Sequence, residues 1–178
     1  KAAQAAEIGM KYLICPYLGP QKSIEDFKKF AAQFNECGAI CKKHGLRFAY
    51  HNHAYSFKML DGQLPQKVMM DETDPALVDF EMDMYWVVDS GSSVEQWLKD
   101  YKGRFKLCHI KDRMENADPA ASNNSCTLGT GSIDFPTLVK AAKENGMQYF
   151  MVEQERYDGT TQLKSAADNA AYMKQIKL

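Results

Sequence analysis

Several things are scarce in this 178-residue sequence, and each shortage excludes a class of protein. No apolar run approaches the roughly 20 residues that a membrane-spanning helix needs. Charge of one sign is not in excess. The net charge is −1, without the basic footprint that nucleic acid or an anionic membrane surface calls for. There is no low-complexity segment and no close internal repeat. Lys1-Ala2-Ala3-Gln4 does not read as a signal peptide. Five cysteines, an odd number, do not make a disulfide framework at this size, and none has the tight spacing of a zinc knuckle. Cys15 and Cys108 fall in strand-like runs, Cys37 and Cys41 lie one helical turn apart, and Cys126 lies in a polar loop. They read as reduced, mostly buried thiols. A hydrophobic fraction of 45% with 25% charged residues is that of a soluble globular protein with one core, and it selects no compartment, cytoplasmic or exported.

What is present is alternation. A helix end, Ala2 to Ile8, stops at Gly9 and leads into a strand, Lys11 to Cys15. Ser23 with Asp26 opens a helix whose apolar positions Phe27, Phe30, Ala31, Phe34, Cys37 and Cys41 keep helical spacing until Gly45. Then come strand Leu46 to Tyr50, a short helix from Leu64 to Thr73, strand Val78 to Asp83, a helix capped by Ser92 or Ser93, and strand Phe105 to Ile110. Asp134 caps a helix through Asn145, with Pro136 in its first turn and Gly146 after it. Strand Tyr149 to Val152 follows. Ser165 with Asp168 is expected to open the last helix, with Ala166, Ala170 and Met173 facing inward. Strands alternating with helices specify an α/β fold with a parallel sheet. Five strands are about three units short of a closed (β/α)8 barrel, which takes about 250 residues. The expectation is a TIM-barrel type of fold with the chain covering about the last five β/α units, its N-terminal units missing. The rival is an open five-stranded domain. A part-barrel exposes strand edges, which invites pairing into a homo-oligomer.

Chemistry-bearing residues cluster where these strands end. Asp83 closes Phe80-Glu81-Met82-Asp83, His109 follows Lys106-Leu107-Cys108, and Glu153 follows Phe150-Met151-Val152. Leu46 to Tyr50 runs into His51-Asn52-His53. Polar groups at the carboxyl ends of parallel strands are how a barrel builds its active site. Asp, His and Glu together suit a divalent metal that takes oxygen and imidazole ligands. Glu81, deeper in its strand, is expected to form a buried ion pair with Lys111 or Arg47. The irregular stretch Asp112 to Ser132 reads as an active-site loop, and Gly129-Thr130-Gly131 within it mainly as a turn leading to the helix capped by Asp134. Trp86, just past a strand end, could form an apolar wall of a site at that end.

In order along the chain, Tyr50-His51-Asn52-His53, Glu81-Met82-Asp83, His109-Ile110-Lys111-Asp112, Leu128 to Phe135 and Val152-Glu153-Gln154-Glu155 resemble the sugar phosphate isomerase/epimerase family, the xylose-isomerase-like TIM barrels. The resemblance runs from about Ala3 to Leu178 and implies one such domain over residues 1–178. It implies one divalent metal ion (Mn, Zn, Mg or Co) on four strand-end ligands. Asp83, His109 and Glu153 fall on the last three. The first falls on His51, where many members carry Glu. Trp86 stands where sugar epimerases often carry His.

The implied activity is isomerisation or epimerisation of a sugar or keto-sugar, phosphorylated or free. It proceeds by proton abstraction next to a carbonyl through a metal-stabilised enediolate. Glu153 is the base, and His51 or His53 returns the proton. His53, Trp86, Lys111, Arg113 and Arg156 are the candidate substrate contacts. His51 in place of a carboxylate puts a symmetric two-carboxylate epimerisation in question, so a keto-sugar lyase or hydratase is the alternative, as is an inactive barrel fragment. The partner implied is a small-molecule sugar, with no nucleic acid and no membrane. An apurinic-site endonuclease of related fold would need more metal ligands and a basic surface.

Overall fold

The computed structural model describes residues 1–118, 121 and 123–176. The chain divides into two compact units, Lys1–Met82 with Arg104–Lys106, and Asp83–Gly103 with Leu107–Leu178.

The first unit begins with helix α1 (Ala2–Glu7) and strand β1 (Tyr12–Cys15). Helix α2 (Ile24–Lys43) starts where the sequence places it. Ser23 is extended, its hydroxyl accepts from the Asp26 amide at 3.3 Å, and that hydroxyl donates to the Asp26 carboxylate at 2.9 Å. The buried face of α2 carries Phe27, Ala31, Phe34, Gly38 and Cys41. Gly38 is required by close approach, since a Cβ there would stand 2.6 Å from the Leu77 carbonyl oxygen. Strand β2 (Arg47–His51), a 3-10 turn (Ala54–Phe57), helix α3 (Pro65–Glu72) and strand β3 (Val78–Asp83) follow. β1, β2 and β3 are parallel neighbours, with Tyr12 beside Arg47 and His51 beside Glu81. Every residue of β3 is buried. Phe34 packs its ring 5.0 Å from Phe48 and 5.3 Å from Tyr50.

Arg47 clamps the start of the sheet. Its guanidinium holds both oxygens of Asp79 at 2.7 and 2.8 Å, and the Tyr12 hydroxyl donates to the same carboxylate at 3.1 Å. The expected pairing of Glu81 with Lys111 or Arg47 is therefore corrected. Arg47 reaches diagonally to Asp79, which stands opposite Ala49 on the next strand, and Glu81 takes His51. Strand β4 (Phe105–Ile110) starts against β3, where the Phe80 amide donates to the Arg104 carbonyl at 3.0 Å.

The second unit holds helices α4 (Met84–Asp89) and α5 (Val94–Asp100), the rest of β4, the short antiparallel pair β5 (Asp112–Arg113) and β6 (Ser125–Cys126), helix α6 (Phe135–Glu144), strand β7 (Tyr149–Val152) and helix α7 (Gln162–Gln175). β4 and β7 are parallel, with Leu107 beside Tyr149 and Ile110 beside Val152. Asp134 caps α6 by accepting from the Thr137 amide at 3.3 Å.

Two expectations about α7 are corrected. Thr161, not Ser165, is its cap and accepts from the Lys164 amide at 3.2 Å. Its inward residues are Ser165 and Asn169, while Ala166 and Ala170 are exposed. The reason is what α7 faces. Asn169 accepts from the Leu128 amide at 2.8 Å and donates to the Gln154 side chain at 2.9 Å, so this face meets polar loop groups. Within the stretch from Asp112 to Ser132, of which residues 119, 120 and 122 lie outside the described residues, β5 and β6 pair and Asp112 organises the turn. Both oxygens of the buried Asp112 carboxylate are held by backbone amides, those of Arg113 (2.8 Å), Gly129 (2.9 Å), Gly131 (3.1 Å) and Ile133 (3.2 Å). Gly129-Thr130-Gly131 is thus a turn wrapped around the chain's own carboxylate, and a Cβ on Gly131 would strike the Asp112 carboxylate and the Arg113 carbonyl.

Candidate metal centre

Three strand ends of the second unit bring acidic and imidazole groups together. β3 ends at Asp83, which is fully buried. One of its oxygens accepts from the Tyr85 amide at 2.9 Å and caps α4, which begins with no intervening residue. The other lies 4.0 Å from Nδ1 of His109, next to last in β4. The same Nδ1 lies 3.3 Å from Oε2 of Glu153, the residue after β7. The Glu153 amide donates to the Ile110 carbonyl at 3.0 Å, which extends the β4–β7 pairing to the residue that carries the carboxylate.

These residues fit a divalent ion. Oxygen and imidazole donors about 2.0–2.2 Å from a tetrahedral ion stand about 3.3–3.5 Å from one another. The 3.3 Å separation between His109 and Glu153 is of that size, and the 4.0 Å separation between His109 and Asp83 is about half an ångström wider. The set mixes carboxylate oxygens and a ring nitrogen, as manganese, zinc, magnesium or cobalt accept.

Lys111 lies directly behind this group and is 1% exposed. Its ammonium is 3.3 Å from Glu153 Oε2, is paired with Glu155, and sits 5.0 Å from the ring centres of both Tyr85 and Trp86. Burial works to lower the pKa of Lys111, but the hydrogen bond to Glu155 and the charges of Asp83, Glu153 and Glu155 outweigh it and raise the net value. Glu153 is lowered to about 2. The hydrogen bond with His109 is the largest cause, burial opposes it, and the charges of His109 and Lys111 add to the lowering.

The other candidate residues are placed as follows. His51 ends β2 in the first unit, buried, with Nδ1 2.9 Å from Glu81 Oε2. A ring nitrogen engaged by a carboxylate sets the orientation of the other nitrogen for ligation or proton transfer. His53 lies past the strand, its ring 5.0 Å from His51, 5.0 Å from Tyr17 edge-on, and stacked on Tyr55 at 5.8 Å. Trp86 lies in the first turn of α4 with its ring 4.7 Å from Tyr85. Arg113 is held by Asp89 at 2.9 Å and Arg156 by Asp158 at 2.7 Å.

Sequence reasoning passed over Glu155 and Asn123. The Asn123 amide donates to the Glu155 carboxylate at 2.5 Å, and the Ser125 hydroxyl accepts from the backbone amides of Glu155 and Arg156 at 3.0 and 3.1 Å. A signal was there. Glu155 is two residues beyond Glu153, on the same side of an extended chain.

Residues 1–176 match the family described as Xylose isomerase-like TIM barrel, and the chain belongs to it. A sugar phosphate isomerase/epimerase from Parabacteroides distasonis superposes with a TM-score of 0.87 at 31% identity, over 99% of this chain and 61% of that one. The IOLI protein with a bound zinc atom has the same fold, with a TM-score of 0.77 at 19% identity over 98% of this chain and 66% of that one. An inosose dehydratase of Clostridium perfringens is 30% identical over 145 residues, 74% of this chain and 48% of its own length. The chain thus spans about half the length of the curated relatives it matches. The fold is α/β of the (β/α) barrel type, with β1 to β4 and β7 as its parallel strands among the described residues. The resemblance drawn from the strand-end motifs is correct, and the family is one of enzymes.

Proposed function

We propose that this chain carries the metal centre of an enzyme that removes a proton next to the carbonyl of a keto-sugar or ring-polyol ketone. The observation that carries this reading is the convergence of Asp83, His109 and Glu153 from the ends of β3, β4 and β7. These three would hold one divalent ion. A bound ion supplies Lewis-acid polarisation of the substrate carbonyl. Glu153, ionised at neutral pH, takes the proton. His51, oriented through Nδ1 by Glu81, returns it. His53 and Trp86 offer ring faces to a sugar, Arg113 and Arg156 are the charged groups for its oxygens, and Lys111, buried behind the ligands, holds Glu153. Reprotonation at carbon gives isomerisation or epimerisation.

A second reading is elimination of water from the same enolised substrate. The His51–Glu81 pair favours it, because an imidazole in place of a carboxylate suits proton donation to a departing hydroxyl. The likeness to inosose dehydratases supports it as well.

The first test is elemental mass spectrometry of the purified chain with Asp83→Ala as control. About one divalent ion per chain, lost in the variant, is the expected result. A folded chain that binds none after addition of manganese, zinc, magnesium or cobalt overturns the reading. Product analysis on keto-sugars then separates the two fates, since isomerisation conserves mass and elimination releases water.

A further inference from the structure

We propose that Glu155 is the charge-balancing and positioning residue of the metal centre: it neutralises the buried Lys111 ammonium, which can then hold Glu153 without repelling a divalent cation. This rests on the reading of Asp83, His109 and Glu153 as the ligand set.

Lys111 is the difficulty that Glu155 solves. A lysine that is 1% exposed must have its charge matched where it lies. Tyr85 and Trp86 enclose it with ring faces, which favour a cation but carry no negative charge. Glu153 is 3.3 Å away, but the same oxygen also faces His109 at 3.3 Å and belongs to the candidate ligand set. Once that carboxylate serves a cation, the ammonium behind it opposes the ion across a short, poorly screened distance. Glu155 brings a second carboxylate to Lys111 that His109 does not share. The pair is then neutral, and Lys111 can fix the rotamer of Glu153 at little electrostatic cost to the ion.

Glu155 is itself built into place. Its carboxylate takes the Asn123 amide at 2.5 Å, Asn123 accepts from the Ser125 amide at 2.7 Å, and Ser125 holds the Glu155 backbone amide at 3.0 Å. A half-exposed glutamate on a merely solvated surface needs none of these supports. Asn123 comes just before β6 and Ser125 opens β6, which thereby gains a structural link to the ligand set.

The test is a double-mutant cycle read as Mn2+ affinity, by calorimetric titration of the chain at neutral pH, with circular dichroism confirming the fold of each variant. Glu155→Gln keeps the shape and an acceptor oxygen while removing the charge. It is expected to weaken Mn2+ binding by about tenfold or more, the scale of outer partners of metal ligands. Lys111→Met removes the charge that needs balancing and keeps an apolar stem against Tyr85 and Trp86, and Lys111→Gln is the second variant should Met not fold. In either Lys111 background, adding Glu155→Gln is expected to change affinity by less than about threefold, so the loss disappears. An equal loss in the presence and absence of Lys111 overturns the proposal, because a purely structural Glu155 behaves that way. Unchanged affinity in Glu155→Gln alone overturns it too. Failure of the wild-type chain to bind Mn2+ overturns the ligand set and this role together.

Discussion

At Glu153 one carboxylate oxygen faces both the His109 imidazole and the Lys111 ammonium, each at 3.3 Å. The His109 hydrogen bond lowers its pKa most, burial works against that, and the two positive neighbours bring it to about 2 from an ordinary 4.5. In the metal-free protein the folded state therefore takes up this proton less readily than the unfolded chain. The stability that Glu153 contributes is fully present above pH 4.5 and is lost as pH falls toward about 2. Glu153→Gln cannot ionise and lacks this dependence. With chelator present, the difference in Tm between wild type and variant should be constant above about pH 5 and shrink steadily below it. A difference that stays constant down to about pH 2.5 would show that Glu153 titrates normally. Residue type and strand-end position made Asp83, His109 and Glu153 legible in the sequence, because strand direction alone sends such groups to one end. The partner of Glu81 was not legible. It depends on β2–β3 register, where a shift of one residue would turn the opposite face toward it.

Among the elements, the caps that act over three residues were readable. Ser23 with Asp26 and Asp134 with Thr137 are local hydrogen bonds that the spacing itself specifies. α4 was missed because the strand passes straight into it with no Gly or Pro between, and its cap, Asp83, is also the candidate ligand. The face of α7 was misread because its burial is set by loop groups distant in sequence. The same distance hid the role of Asp112, which organises the return from β5 through Gly129, Gly131 and Ile133. Four backbone amides converge on this buried carboxylate. An asparagine offers one oxygen and turns an NH2 group toward donors. Asp112→Asn should therefore destabilise the protein by about 3 kcal/mol, read as a lower urea midpoint with an unchanged m-value. A loss below about 1 kcal/mol would mean that the glycine turn holds its shape without the charge.

For the molecule as a whole, alternation of strand-like and helical segments made the five parallel strands of the described residues countable, since each kind of segment keeps its own rhythm. Links such as Lys111 to Glu155 could not be counted that way, because they join positions 44 residues apart through β7 and the turn after it. Among the described residues β1 has β2 as its strand partner and β7 has β4, which leaves each with a second edge. At β7 that edge is apolar, with Tyr149 42% and Val152 41% exposed. Exposed aromatic and branched side chains on a strand at the rim of a sheet favour pairing with another strand. The 178-residue chain should then self-associate as its concentration rises in sedimentation velocity. Val152→Lys, which places a charge at the end of that strand, should shift the distribution toward monomer, since charge on an exposed edge opposes pairing. A chain that stays monomeric at about 100 μM would show that this edge is covered well enough to resist pairing.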